Sequence, residues 1–170
     1  MPLLTEHFSL QELTVTQQVG ADGRLLFNQP GDTELLYLLL LCERALEPIR
    51  VAWGCPVRVT SAFRGPLVER AVQERSGLIA PGATLAPSQH TRGQAADLTP
   101  AGDLDIEEAY RRIWASTIPY DQLLLEGAPG HQWIHVSIAP VMYPPRREAL
   151  VSVTGGPPWS TYTPPPRGLA

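Results

Sequence analysis

The chain has 170 residues, of which 44% are hydrophobic and 18% charged, and its formal charge at pH 7 is -4. These values are ordinary for a folded protein and allow one sizeable core, but the length is too short for two comfortable domains. The acidic balance argues against a nucleic-acid-binding protein, because such proteins usually present a basic surface.

The N-terminal segment predicts a short helix and no export signal. Ser9 and Glu12 have the spacing of a capping box, in which each side chain bonds to the other residue's backbone N–H. Residues 1–12 lack a basic stretch followed by an apolar run, so we predict no secretion signal. The polar, glycine-containing stretch 16–31 is expected to be a surface loop.

The longest predicted helix runs from Glu34 to Trp53, with Asp32 or Thr33 as its N-cap. Its leucines recur at three- and four-residue spacing, so one face is expected to lie in the core. Pro48 is expected to kink this helix or end its regular part, and a glycine stops it. Charged residues interrupt the apolar stretch well short of a bilayer span, so we expect no membrane insertion.

The remaining segments predict an α+β domain, a small and mainly antiparallel sheet with helices packed against it. The predicted strands are 57–61, 95–99, 121–126, 132–138 and 149–153, and the predicted helices are 66–76 and 106–116. Either Asp103 or Asp105 can cap the last helix. The strands 121–126 and 132–138 flank a glycine-containing turn and are expected to form a hairpin. The domain is expected to span 1–155, followed by a proline-rich tail over 156–170.

The residues that carry chemistry lie in two short segments. Residues 88–97 read Ser-Gln-His-Thr-Arg-Gly-Gln-Ala-Ala-Asp and pair His90 with a carboxylate, Asp97, across a glycine and two alanines. Residues 133–137 read Trp-Ile-His-Val-Ser and offer His135 from a predicted strand. Two imidazoles and one carboxylate are the ligand set of a catalytic zinc ion with one position left for water. Taken singly, each residue also fits a plain structural role, as a core or surface histidine or a turn-capping aspartate.

Together these motifs resemble the zinc D-Ala-D-Ala carboxypeptidase and endopeptidase family, and most closely its branch of short phage- and bacteria-encoded members. Further segments resemble that branch in the same order and extend the resemblance over most of the chain: His7–Leu13, Leu46–Arg50, Val59–Pro66 and Tyr120–Glu126. The resemblance implies a Hedgehog/DD-peptidase-like fold, with Zn²⁺ held by His90, Asp97 and His135. It also implies that Arg64 holds the substrate carbonyl or carboxylate and the oxyanion, a role that suits a planar, permanently charged guanidinium.

The general base departs from the family's pattern. In many members an acidic residue lies three positions before the last histidine, where this chain has Gln132, which cannot accept a proton. One explanation makes Glu126, which closes the preceding strand, the base, with His131 as a second candidate. The other is that activity is weak or lost. A shift of one residue in the hairpin register would turn Glu126 to the opposite face of the sheet.

Four further residues are candidates for a supporting role. Ser88 either fixes the substrate or the backbone beside His90, or simply caps a turn. Trp133 and Tyr120 either line the substrate cleft or belong to the core. Asp121 either orients a ligand histidine from outside the metal site or only begins a strand.

The expected function is that of a zinc-dependent peptidoglycan peptidase, either a D-Ala-D-Ala carboxypeptidase or an endopeptidase of the stem or cross-link. The expected partner is a peptidoglycan peptide, bound by a monomer. The protein is expected to remain cytoplasmic until it is released to the wall as a lysin, or to be associated with a virion. The alternative is a non-catalytic, metal-containing module for wall binding or a phage tail.

Overall fold

The fold is built on one β-sheet. The computed structural model describes residues 3–152 and 159–163. Within these residues six strands form one sheet in the order β1-β2-β4-β3-β5-β6. The strands are β1 (Val57–Ser61), β2 (Ala95–Pro100), β3 (Gln122–Glu126), β4 (Trp133–Ser137), β5 (Glu148–Val151) and β6 (Ser160–Thr161). All neighbours are antiparallel except β3 and β5, which are parallel. The predicted α+β class with a mainly antiparallel sheet is therefore confirmed.

Five α-helices accompany the sheet in the described part of the chain. They are α1 (Leu10–Thr14), α2 (Asp32–Leu41), α3 (Glu47–Trp53), α4 (Pro66–Arg75) and α5 (Ile106–Trp114). A π-helical turn (Cys42–Leu46) joins α2 to α3, and a 3-10 turn (His90–Arg92) precedes β2. Among the residues described, we find no helix with the length and apolar character needed to cross a bilayer.

The start of the long helix differs from the prediction. Helix α2 begins at Asp32 and its N-cap is Gly31, so the prediction of Asp32 or Thr33 as the cap is wrong. The physical reason is that Glu34 reaches back, and its Oε2 accepts a hydrogen bond from the Gly31 N–H at 3.1 Å. This bond fixes the entry to the helix without a capping side chain at the N-cap position itself.

The irregular part of the long helix lies before Pro48 rather than at it. Regular α-helical bonding stops at Leu41, and within the π-helical turn the Glu47 N–H bonds to the Cys42 carbonyl, five residues earlier. Pro48 then occupies the first turn of α3, where a missing N–H is tolerated. The predicted end of regular helix at Pro48 is therefore misplaced by one to two turns.

The core lies between one face of the sheet and the helices α2, α3 and α5. Alternate strand residues are buried on this face: Val57, Val59, Ala96, Leu98, Leu123, Leu125, Ile134 and Val136. The helices contribute buried side chains that include Leu41, Leu46, Ile49, Trp53 and Ile113. The Trp53 indole N–H also donates to the Ala109 carbonyl at 3.0 Å, which ties α3 to α5. Because strand side chains alternate, the opposite face of the sheet is left for polar residues.

The other elements lie within two residues of their predicted bounds where the structure describes them. Helix α5 is capped by Asp105, whose Oδ1 accepts from two backbone N–H groups, so Asp103 is not the cap. Position 153 of the last predicted strand and the predicted boundary at 155 lie outside the described residues. Beyond them Ser160–Thr161 pair with β5 as β6.

Candidate metal centre

The polar face of the sheet is fixed by strand register. Asp97 in β2 lies opposite His135 in β4, and His135 lies opposite Leu124 in β3. Glu126 lies opposite Trp133 in the same pair of strands. Residues directly opposite each other share a face, and residues two apart on one strand share it too. Asp97, His135, Glu126 and Trp133 therefore all belong to the face that is turned away from the core.

A β-bulge aligns strand β1 with this polar face. The register between β1 and β2 shifts between Val59 and Ser61, so that Ser61 lies opposite Asp97. Without the extra residue Thr60 would occupy that position and Ser61 would point to the other face. The bulge therefore brings the Ser61 hydroxyl to the same side as the Asp97 carboxylate.

His90 reaches the site from the 3-10 turn rather than from a strand. Its Nδ1 lies 2.7 Å from the Ala62 carbonyl oxygen, which can only accept, so Nδ1 carries the proton. This leaves the Nε2 lone pair available to a metal ion, the arrangement that a carbonyl or carboxylate commonly imposes on a ligating histidine. Gly93 closes the turn with φ +69°. A Cβ there would lie 2.5 Å from the Glu34 carbonyl oxygen, so the turn packs directly on α2.

Three ligand atoms converge on the polar face. His90 Nε2 lies 3.2 Å from His135 Nδ1, and Asp97 Oδ1 lies 3.0 Å from His135 Nδ1 and 3.4 Å from His90 Nε2. Ligands placed tetrahedrally about a metal ion at about 2.0–2.1 Å are separated by roughly 3.3 Å. The two nitrogens and one oxygen therefore have the spacing and the chemistry of a three-residue metal site, and all three side chains are buried.

The electrostatics of the cluster favour the protonation states that metal binding needs. Burial lowers the pKa of His90, and the Arg64 cation adds to this, while the Asp97 charge opposes it. Burial alone would raise the pKa of Asp97, but His90, His135 and Arg64 together bring it well below its ordinary value. A neutral imidazole and an ionised carboxylate are the ligand forms of these side chains.

Arg64 lies directly behind the ligand cluster. Its Nη2 donates to Asp97 Oδ2, the carboxylate oxygen that is not part of the cluster, and its Nε donates to the Ser61 hydroxyl at 2.8 Å. The Arg64 backbone N–H also bonds to the His90 carbonyl at 3.2 Å. This guanidinium therefore orients Asp97 and neutralises part of its charge.

Glu126 lies on the same face, where Trp133 holds its carboxylate. The Trp133 indole N–H donates to Glu126 Oε2 at 2.8 Å. Burial raises the pKa of Glu126, and the nearby Asp97 charge raises it further, against the opposing effects of His135, Trp133 and Arg64. A carboxyl group with a raised pKa beside a metal site has the properties of a general acid or base.

The other sequence candidates fall into two groups. Ser88 and Trp133 line the cavity, together with Arg64, Glu126 and the three cluster residues. Asp121 also lines the cavity, but its carboxylate binds Arg146 and Gln89. By contrast, Tyr120 is buried in the core.

Gln132 and His131 lie at the hairpin rather than in the cavity. His131 is exposed and Gln132 directly precedes β4, and neither belongs to the residues that line the cavity in the described part of the chain. The cavity itself has a volume of about 1150 Å³. This space runs along the polar face of the sheet and is large enough for a peptide segment.

Two buried polar residues at this site were missed by sequence reasoning. Asn28 donates to the Phe63 carbonyl at 3.0 Å and accepts from the Gly65 N–H at 2.7 Å, which fixes the backbone on both sides of Arg64. Glu69 lies on α4 and its Oε2 is 3.7 Å from Arg64 Nη1. In the sequence, Asn28 is one of several turn residues in a polar loop and Glu69 is one of several charged helix residues, so nothing local marks either.

Comparison with known proteins gives one family. The family model described as Peptidase M15 matches residues 6–137, which include Arg64, the His90–Asp97–His135 cluster and Glu126. A search of curated proteins gave no significant match.

Proposed function

Because the chain belongs to the peptidase M15 family, we propose that it is a zinc-dependent peptidase of the bacterial cell wall. Membership of the family indicates a hydrolase that acts on peptide bonds. The proposal adds the metal ion, the substrate and the roles of individual residues. Its substrate is a peptidoglycan peptide, cut either at a terminal D-Ala or within the stem or cross-link, and the sheet is proposed to be of the Hedgehog/DD-peptidase type.

The observation that carries the proposal is the convergence of His90, Asp97 and His135 in the wall of a large cavity. Two imidazole nitrogens and one carboxylate oxygen match the preference of zinc, and three protein ligands leave one position open. When bound, the ion supplies an acidified water and a Lewis-acid contact for the scissile carbonyl. The Ala62 carbonyl holds the His90 ring in the required tautomer.

Glu126 is the proposed general base. It shares the polar face with His135, and its pKa is raised by burial, which makes the carboxylate a better proton acceptor than an ordinary glutamate. Trp133 fixes one of its oxygens, so the other is available to take a proton from the attacking water and pass it to the leaving amine. Gln132 has no part in this scheme.

Arg64 is the proposed cation for the oxygen that becomes negative in the tetrahedral intermediate. It lines the cavity, and its guanidinium lies next to the metal ligand Asp97. A planar cation fixed by hydrogen bonds stabilises developing charge without reorganising during the reaction. Ser88 and Trp133, on the cavity wall, are proposed to contact the substrate.

The test is cleavage of purified muropeptides by protein that has been stripped with a chelator and reloaded with zinc. We expect activity only in the zinc-loaded form, with products identified by mass spectrometry to distinguish the two types of cut. A His135→Ala variant should remain inactive at any zinc concentration. Wild-type protein that binds zinc and muropeptides but cleaves none would instead support the non-catalytic wall-binding or phage-tail module.

The proposed setting is the cell wall. The protein would act there as a monomer, reaching its substrate as a released lysin or as part of a virion. Sedimentation analysis, and cleavage of intact walls applied from outside, would test these two points separately from the chemistry.

A further inference from the structure

Glu69 is a buried carboxylate with one oxygen that forms no hydrogen bond to the described residues. It is 3% exposed, and its Oε1 accepts from Gln73 Nε2 at 2.8 Å. Gln73 is in turn held by the Ala86 backbone, at 2.9 Å to its N–H and 3.0 Å to its carbonyl. Oε2 is inaccessible to solvent and has no hydrogen-bond partner among the described residues. A buried carboxylate oxygen without a hydrogen bond is costly, so a role for it is expected.

Among the residues that the structure describes, the cation nearest to this oxygen is Arg64, which forms a loose ion pair with it. Its Nη1 lies 3.7 Å from Glu69 Oε2, about 0.8 Å longer than an ordinary N–H···O hydrogen bond. On its other side the same guanidinium bonds to Asp97 Oδ2. Arg64 thus lies between two buried carboxylates. It is hydrogen-bonded to Asp97 of the ligand cluster and forms an ion pair without a hydrogen bond to Glu69.

We propose that Glu69 is a positioning residue for Arg64, whose Nη1 moves onto Glu69 Oε2 when the His90–Asp97–His135 site binds a cation. The inference rests on the metal site of the proposed function. Once Asp97 shares its charge with a bound cation, it holds a guanidinium less strongly, and the two positive charges repel each other. Glu69 offers a second carboxylate within a displacement of about 1 Å.

This movement would free one N–H group of Arg64 on the cavity side. When Arg64 pairs with Glu69, its positive charge is still balanced by a carboxylate, but its Nη2 no longer donates to Asp97. That N–H group is then available to a substrate oxygen, in the role proposed above for Arg64. Glu69 never touches the substrate in this scheme and acts only through Arg64.

The direct test is a pair of wild-type crystal structures, one metal-free and one loaded with zinc. We expect the Arg64 Nη1 to Glu69 Oε2 distance to shorten to about 2.9 Å in the zinc-loaded protein, with the Nη2 bond to Asp97 lengthened. An Arg64 that stays on Asp97, with Glu69 still out of reach, would overturn the inference. Because this measurement needs no variant, it holds even if changes at Glu69 prevent folding.

A second test measures zinc affinity by competition with a chromophoric chelator. Glu69→Gln keeps an oxygen for Gln73 but removes the charge, and we expect binding to weaken roughly tenfold, as for other partners behind a metal site. The matched control is Glu74→Gln, about one and a half turns further along the same helix, whose carboxylate binds Arg70 and the Gly82 N–H. This control should leave the affinity unchanged.

A double variant, Glu69→Gln combined with Arg64→Met, shows whether Glu69 affects zinc affinity through Arg64 or acts on the ion directly. If Glu69 acts through Arg64, Glu69→Gln should cause no further loss of zinc affinity in an Arg64→Met background. An equal loss in both backgrounds would mean that Glu69 acts on the ion directly, and would refute the positioning role. Wild-type protein without zinc affinity would overturn the proposed function as well, whereas intact binding that is insensitive to Glu69 would overturn only this inference.

Discussion

Gln132 occupies the position where many family members carry the general base, and Glu126 and His131 are the candidates that could replace it. Glu126 shares the polar face with His135, while Gln132 precedes β4 outside the cavity lining. Glu126→Gln removes the proposed proton acceptor but keeps an oxygen that can accept the Trp133 hydrogen bond. We expect kcat to fall by about 10²–10⁴-fold, the usual contribution of a general base.

Zinc affinity and steady-state kinetics together check this prediction. Affinity should change little in Glu126→Gln, since Glu126 is not one of the three cluster residues. Gln132→Ala is the matched control at the rival position and should retain nearly full activity. Undiminished turnover in Glu126→Gln, or a comparable loss in Gln132→Ala, would exclude Glu126 as the base.

The turn that carries His90 depends on one glycine. Gly93 has φ +69°, and a Cβ there would lie 2.5 Å from the Glu34 carbonyl and 3.1 Å from the Leu38 side chain. Gly54 has almost the same dihedral, φ +68°, but nothing within 4 Å of such a Cβ. The two positions therefore share the backbone strain of a left-handed residue and differ only in the contact.

We expect Gly93→Ala to destabilise the fold clearly more than Gly54→Ala. The control should cost on the order of 1 kcal/mol from strain alone, and Gly93→Ala several kcal/mol, because the His90 turn must separate from α2. Urea unfolding of both variants measures this difference. Equal losses would show that the close packing of the turn on α2 contributes nothing.

The strands and most helices follow from local patterns, which is why their predicted bounds agree with the structure. Alternation in β1 and the capping side chain before α5 depend on neighbouring residues alone. The parallel pairing of β5 with β3 could not be predicted from local patterns. The paired residues are about 26 positions apart, and no sequence motif links the two strands. The π-helical turn before Pro48 was missed for a similar reason, since the proline marks a disturbance without fixing where the hydrogen bonding changes.

At the candidate metal centre, the sequence predicts which residues take part but not which of them contact each other. His90, Asp97 and His135 can be predicted from their residue types and from the resemblance of the motifs to a known family, and the structure brings the three together. The partners behind them depend on tertiary contacts. The β1 bulge that turns Ser61 toward Arg64 and the buried Glu69 leave no trace in the periodicity of the chain. These contacts orient Arg64, and they form only in the folded protein.

Asp121 connects separate parts of the molecule at one end of the cavity. Its carboxylate accepts from Arg146 Nη2 at 2.7 Å and from Gln89 Nε2 at 3.0 Å, so the start of β3, the segment before β5 and the His90 loop meet there. Burial alone would raise the pKa of Asp121, but the hydrogen bonds and charge of Arg146 bring it below its ordinary value. A lowered folded-state pKa stabilises the protein above the unfolded-state pKa, and that stabilisation is lost as the pH falls through the folded-state pKa.

Asp121→Asn should therefore destabilise the protein at neutral pH and matter much less in acid. We expect a loss on the order of 1–3 kcal/mol at about pH 7, allowing for the exposure of Arg146, and a smaller difference at about pH 2. Urea unfolding at the two pH values measures it, with the exposed Asp103→Asn as a control for the change of charge. A loss that is independent of pH would contradict the assignment to this ion pair.

A metal ion at the cluster would also act on the stability of the whole fold, because its ligands come from distant parts of the chain. His90 lies in the turn behind α2, Asp97 in β2 and His135 in β4, so all three must be in place at once. At a free zinc concentration about 100 times the dissociation constant, the linked stabilisation is about 2.7 kcal/mol. For a chain of this size that corresponds to a rise in Tm of roughly 5–10 °C.

Thermal unfolding with zinc and then with chelator checks this linkage without any assumption about substrate. His135→Ala should abolish the zinc-dependent shift in Tm, because two ligands bind far more weakly than three. The control is His131→Ala, which removes an exposed histidine only four residues away and should keep the full shift. If His131→Ala removed the shift instead, the ligand set would have to include the hairpin loop. If neither variant changed it, the ion would bind elsewhere and the cluster would be a network of buried hydrogen bonds.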